Sequence, residues 1–156
     1  MEPSEWAQSQ AEDMQGKKDA QILKDAVFLK RQKMKEAHAP ELWGAIIQAF
    51  QVHCAEYNRC RPQSERSIGF SCLQINSYML RRDAGWSELK VDFNPSTGTI
   101  RAKANNCGFN ETYQPKVLKD GEVVLFRRGQ FPVTPNEIAQ TAMEAFLSGR
   151  EIADIL

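Results

Sequence analysis

The residues best suited to chemistry gather in "ELWGAIIQAFQVHCAEYNRC", residues 41–60, which holds two of the four cysteines and one of the two histidines. His53 and Cys54 adjoin, and Cys60 follows further on. Zinc ligands commonly come at C-x-x-C or H-x-x-x-H spacing, which lets two side chains reach one ion. Neighbours on a helix diverge by about 100°, so His53 and Cys54 point apart and no metal site is expected. A nucleophilic thiol needs a base within hydrogen-bond reach and a lowered pKa. His53 fails that test for Cys54 by the same divergence, and the other imidazole, His38, lies in the bend before Pro40.

The spacing favours packing instead. Trp43, Ile46, Ile47, Phe50, Cys54 and Tyr57 follow one another by three or four residues, an apolar helical stripe on which Cys54 serves as a small hydrophobe. Of the other thiols, Cys72 falls mid-strand and is expected to be buried. Cys107 lies in the turn-forming "NNCGFN" and is expected to be the exposed one. There is no P-loop, dinucleotide glycine fingerprint or G-x-S-x-G elbow. Glu88 and Asp92 share a strand face but read as solvated surface, and the glycosylation pattern Asn110-Glu111-Thr112 has no secretory leader to give it meaning. No catalytic residue, metal or cofactor is assigned.

The elements that carry these residues can be read from periodicity. Residues 1–16 hold four acids (Glu2, Glu5, Glu12, Asp13) and no base, and their polar composition suggests a flexible acidic arm. Residues 17–156 read as a single α+β domain. Ile22, Leu23, Ala26, Val27, Leu29 and Met34 form the apolar side of a first helix. Pro40 then either kinks that helix or starts a second one, running from about residue 40 to 58. The period next drops to two. Ile68, Phe70 and Cys72 alternate, "SYMLRRD" follows, and a turn is expected at Asp83-Ala84-Gly85.

The clearest hairpin is "ELKVDFNPSTGTIRAKA", with Phe93 facing Ile100, Asp92 forming an ion pair with Arg101, and Lys90 facing Lys103. A second closes at Lys119-Asp120-Gly121. Val117, Val124 and Phe126 mark one of its faces, Leu118, Val123 and Leu125 the other, so both faces need cover. Thr134-Pro135-Asn136-Glu137 starts the last helix with a cap, a proline and a capping-box glutamate. It ends at Ser148-Gly149, and "REIADIL" adds a last turn. The expected fold is α+β: two N-terminal helices, an antiparallel meander of five or six strands, and a C-terminal helix packed on the sheet.

Charge narrows the partners. The chain of 156 residues has 20 basic and 20 acidic residues, so no overall field recruits nucleic acid or an acidic membrane. Residues 17–36 nevertheless hold seven bases against three acids, and Lys24, Arg31 and Lys35 share one helical face, which Lys17 can join. That face suits an acidic partner; nucleic acid is a lesser alternative, because no recognised binding motif accompanies it. "MEPSEWAQSQ" has neither the basic nor the apolar part of a secretory signal, and no apolar run spans a bilayer, so a cytoplasmic location without membrane insertion is expected.

Three functional expectations follow, the last of them an enzyme that uses dispersed residues. The first is a non-enzymatic interaction or regulatory domain acting as a homodimer or on a protein partner. The second is a small apolar-ligand binder, with a pocket between sheet and helices lined by Trp43, Phe50, Phe70 and Phe93.

Overall fold

A computed structural model describes residues 2–82 and 87–149. The turn expected at residues 83–85 and the helical turn expected in "REIADIL" lie outside them. The element order is α1 (Pro3–Cys60), β1 (Ile68–Gln74), β2 (Ser77–Arg82), β3 (Glu88–Asn94), β4 (Thr99–Ala104), β5 (Asn110–Val117), β6 (Val123–Arg127), β7 (Phe131–Val133) and α2 (Pro135–Ser148). The seven strands form one sheet in the order of the chain, each antiparallel to the next. The α+β class and the meander agree with the sequence; the element counts do not.

Two N-terminal helices were expected, and there is one. Pro40 sits inside α1 rather than at a boundary. It removes one backbone donor and crowds the carbonyl four residues earlier. Pro40 and Glu36 are both exposed, and the solvent side of a helix is where a lost backbone bond costs least. The extra strand is β7, only three residues long and containing Pro132, too short to show a period. Helix α1 also takes in residues 3–16, which composition alone reads as a loose arm. The chain divides into two compact units between Met34 and Lys35.

The unit beginning at Lys35 holds the core. On α1 the stripe Trp43, Ile46, Ile47, Phe50 and Cys54 is buried, as are Ile138, Ala139, Ala142, Met143 and Phe146 on α2. They close over Leu80, Leu89, Val91, Phe93, Ile100, Ala102 and Leu125 of the sheet. The opposite sheet face stays wet, as an antiparallel sheet allows. The β3–β4 register matches the sequence reading: Phe93 faces Ile100, Asp92 faces Arg101 and Lys90 faces Lys103. The expected Asp92–Arg101 ion pair does not form. Asp92 accepts from the Ser77 hydroxyl at 2.6 Å and lies 3.9 Å from Lys90, while Arg101 donates to Asn110 at 3.0 Å. The turn closes on Gly98, whose φ of 74° and close approach to Pro115 and Ala39 leave no room for a side chain.

The second hairpin corrects a face assignment. Val117 pairs with Val123 and therefore shares its side, not that of Val124 and Phe126. The wet-side pair is covered from within the chain: the Lys116 ammonium lies 5.0 Å over the Phe126 ring and donates to the Gly129 carbonyl at 2.6 Å.

Side chains join the elements at their ends. Asn58, in the last turn of α1, donates to the Ile68 carbonyl at 2.8 Å and accepts from the Ile68 N–H at 2.7 Å, completing both backbone groups of the first strand residue. Asn58→Ala strands both groups in a half-buried place, and a loss of about 2 kcal/mol is expected in urea unfolding. Asn58→Asp, which keeps the acceptor alone, should lose less. At the start of α2, the Thr134 hydroxyl accepts from the Glu137 N–H at 3.1 Å, a cap typically worth about 1 kcal/mol. At its end, Gly149 (φ 69°) returns its N–H to Ala145, Asn106 donates to Phe146 at 2.8 Å, and Arg82 donates to Leu147 at 2.5 Å. Helix carbonyls that would otherwise lack partners are thereby tied to the sheet.

Candidate interaction surface

The four aromatic residues expected to line a pocket do come together, through the seven-residue spacing of Trp43 and Phe50 on α1 and the inward positions of Phe70 and Phe93. Phe50 stacks near Phe70 (centroids 6.4 Å apart), Phe70 on Tyr78 (5.1 Å), and Trp43 on Phe93 (5.4 Å), with Tyr78 edge-on to Trp43 at 5.9 Å. Tyr78 links the two pairs into one continuous run of rings. The grooves of this unit include one of about 470 Å³ over His53, Gln140, Met143, Glu144 and Leu147. Another, of about 360 Å³, lies on the charged sheet face beside Glu88, Lys90, Arg101 and Lys103. A third, of about 370 Å³, has Phe93 in its lining, with Asp92, Asn94 and Thr112.

The thiols are placed differently from expectation. Cys54 is buried, and burial pushes its thiol from the ordinary 9.0 up to about 12. Such a thiol holds its proton and is a poor nucleophile. Cys72 is exposed, not buried, because cover along β1 thins from Ile68 toward Gln74. Cys107 is half-buried, not the open thiol expected, because its turn caps α2: its Sγ lies 3.7 Å from the Ala145 carbonyl. His53 contacts Asn136 at 3.0 Å, and His38 contacts Glu41 at 3.4 Å. Neither imidazole is hydrogen-bonded to a thiol. Among the described residues no group of three or more His, Cys, Asp or Glu could hold a metal ion.

One charged residue escaped the sequence reading. Glu111 points to the dry sheet face, pairs across the strands with Ala102, and has its carboxylate 2.7 Å from Arg128. Its alternation with Tyr113 in β5 was the available signal. Arg128 reaches it from a left-handed backbone (φ 54°), a conformation that costs a non-glycine residue some strain. Glu111, through its hydrogen bond and its charge, holds the Arg128 guanidinium above its ordinary pKa.

Of the basic residues, Lys24 and Arg31 lie on α1 in the unit ending at Met34, seven residues apart and so on one side of the helix, while Lys35 belongs to the other unit. Lys24 and Arg31 are exposed and Lys35 is half-buried. In the unit ending at Met34 the apolar residues are exposed as well: Trp6, Met14, Ile22, Leu23, Phe28 and Leu29 by 58–67% and Val27 by 44%. Seven of the eleven large hydrophobics exposed among the described residues lie there. They surround the helix rather than share one narrow stripe. Within residues 22–29, Ile22 and Leu29 lie on one side, Leu23 and Val27 on a second, and Phe28 on a third.

No helix of the described residues is long and apolar enough to cross a membrane. Compared with protein-family models, curated proteins and solved structures, the chain matches none.

Proposed function

We propose that the chain is a non-enzymatic interaction domain that associates with a protein surface, its own included, through the helical segment of residues 3–34. The observation that carries this reading is the concentration of exposed large hydrophobics on that segment. Large apolar side chains left in water are surface that association with a partner covers. The stacking of Trp43, Phe50, Phe70, Tyr78 and Phe93 on one another supports a structural role for these rings and favours this reading over apolar-ligand binding.

Amide hydrogen exchange tests the proposal. A helix held only by its own hydrogen bonds is marginal and opens readily. Protection of residues 3–34 is therefore expected to rise at least tenfold as the protein is concentrated from about 1 to 200 µM, while protection of residues 88–104 stays constant. Protection that is the same at all concentrations, and unchanged by added cell extract, would contradict it.

A further inference from the structure

We infer that the partner of residues 3–34 is the same segment of a second copy, lying antiparallel to it; this deepens the interaction reading above and rests on it. The charge layout carries the inference. Residues 1–16 contain four acids and no base, a net charge of −4, and residues 17–36 contain seven bases and three acids, a net charge of +4. Two of those three acids are already engaged within the helix: Asp19 accepts from Gln15 at 3.0 Å and Asp25 from Gln21 at 2.9 Å.

Within one copy the two blocks meet only at their junction, where Asp13 and Lys17 lie one turn apart. The centres of the blocks are separated by about 19 residues of α-helix, about 28 Å at 1.5 Å per residue, which is several screening lengths at physiological salt. The helix dipole accounts for acids in the first turn, where Glu5 lies. It accounts neither for Glu12 and Asp13 nor for seven bases well before the helix ends at Cys60.

A second copy satisfies both blocks, and only in one orientation. Parallel pairing sets −4 beside −4 and +4 beside +4. Antiparallel pairing about residues 17–18 sets each acidic block beside a basic one, bringing Glu5 close to Lys30 and Glu12 close to Lys24. It does so twice, as two-fold symmetry requires of a self-complementary surface. A nucleic acid or another polyanion gains from the basic block but is repelled by the acidic one on the same helix.

The exposed apolar residues lie on several sides of the helix, so a partner helix covers those on the side it meets, and the charge layout rather than the area fixes the arrangement.

The test uses the full chain. Equal amounts of unlabelled and ¹⁵N-labelled protein are mixed at about 200 µM, their mass is measured by light scattering, and a zero-length carbodiimide joins contacting carboxylates to lysines. The expected result is a dimer whose mixed-isotope cross-links join Glu2, Glu5, Glu12 or Asp13 of one copy to Lys24, Lys30, Lys33 or Lys35 of the other. The variants E5K/E12K/D13K and K30E/R31E/K33E are each expected to dimerise at least tenfold more weakly, and their mixture to recover the wild-type mass. A dimer whose mixed-isotope cross-links avoid these pairs would overturn the antiparallel arrangement and leave the interaction reading standing. A monomer at 200 µM with concentration-independent exchange over residues 3–34 would overturn both. A monomer whose helix gains protection only in cell extract would overturn the second-copy assignment alone.

Discussion

Phe50→Ala is expected to destabilise the unit beginning at Lys35 by about 3–5 kcal/mol, a large share of the 5–15 kcal/mol that holds a typical domain together. Phe50 is fully buried and lies at one end of the ring run through Phe70, Tyr78, Trp43 and Phe93. Truncation removes the ring's transfer free energy and opens a cavity beside Phe70 within the core. The change should appear in urea unfolding as a lower midpoint at unchanged slope, the sign of altered stability without an altered unfolding extent. Val52→Ala, two residues away but 51% exposed, should shift the midpoint hardly at all. Because Phe50 and Phe70 touch, the double variant Phe50→Ala, Phe70→Ala should cost less than the sum of the singles. A loss below about 1 kcal/mol for Phe50→Ala would mean that the run relaxes freely and is not the spine of the unit.

Those rings also mark how far the sequence can be read. Trp43 and Phe50 lie seven residues apart on a helix, and Phe70 and Phe93 alternate with polar neighbours, so their convergence was legible. Whether they enclose a space or fill it depends on Tyr78, which belongs to a strand whose faces "SYMLRRD" does not reveal. The β3–β4 register was legible because two alternating strands flank a turn that admits one alignment. The continuity of α1 was not, since Pro40 signals a boundary locally while its exposed side lets the helix pass. Local patterning also misplaced Cys72 and Cys107. The exposure of each is decided by how far another element reaches: the end of cover along β1 for the first, the C-terminus of α2 for the second. Glu111 shows the same limit from the other side. Its inward direction is a matter of alternation, but only Arg128, seventeen residues away and in a left-handed conformation, explains how a carboxylate is kept there.

Alkaline pH should destabilise the fold from about pH 9 upward, and Cys54 and Tyr113 should contribute to it. Burial raises the Cys54 thiol from 9.0 to about 12. Burial first, and the Glu111 charge second, hold the Tyr113 phenol well above its ordinary 10.0. Above pH 9 the unfolded chain releases the Cys54 proton while the folded chain keeps it. The unfolded state then binds fewer protons, so the free energy of unfolding falls as pH rises. The stability tied to the protonated thiol is therefore fully present below pH 9 and is lost as pH climbs toward 12. At full slope the loss is about 1.4 kcal/mol per pH unit, or about 2 kcal/mol by pH 10.5. Tyr113 adds a loss of the same sign from pH 10 upward. Urea unfolding at intervals from pH 7 to 11 reads this directly. Cys54→Ala lowers stability at every pH through lost packing, so slopes and not absolute values carry the comparison. Above pH 9 its slope should be shallower than that of the wild type, and Tyr113→Phe should flatten the curve only above pH 10. Parallel curves for wild type and Cys54→Ala would show that the thiol ionises as easily in the folded chain as in the unfolded one. A thiolate would then be present in the folded unit, and the case for Cys54 as inert packing would fall with it.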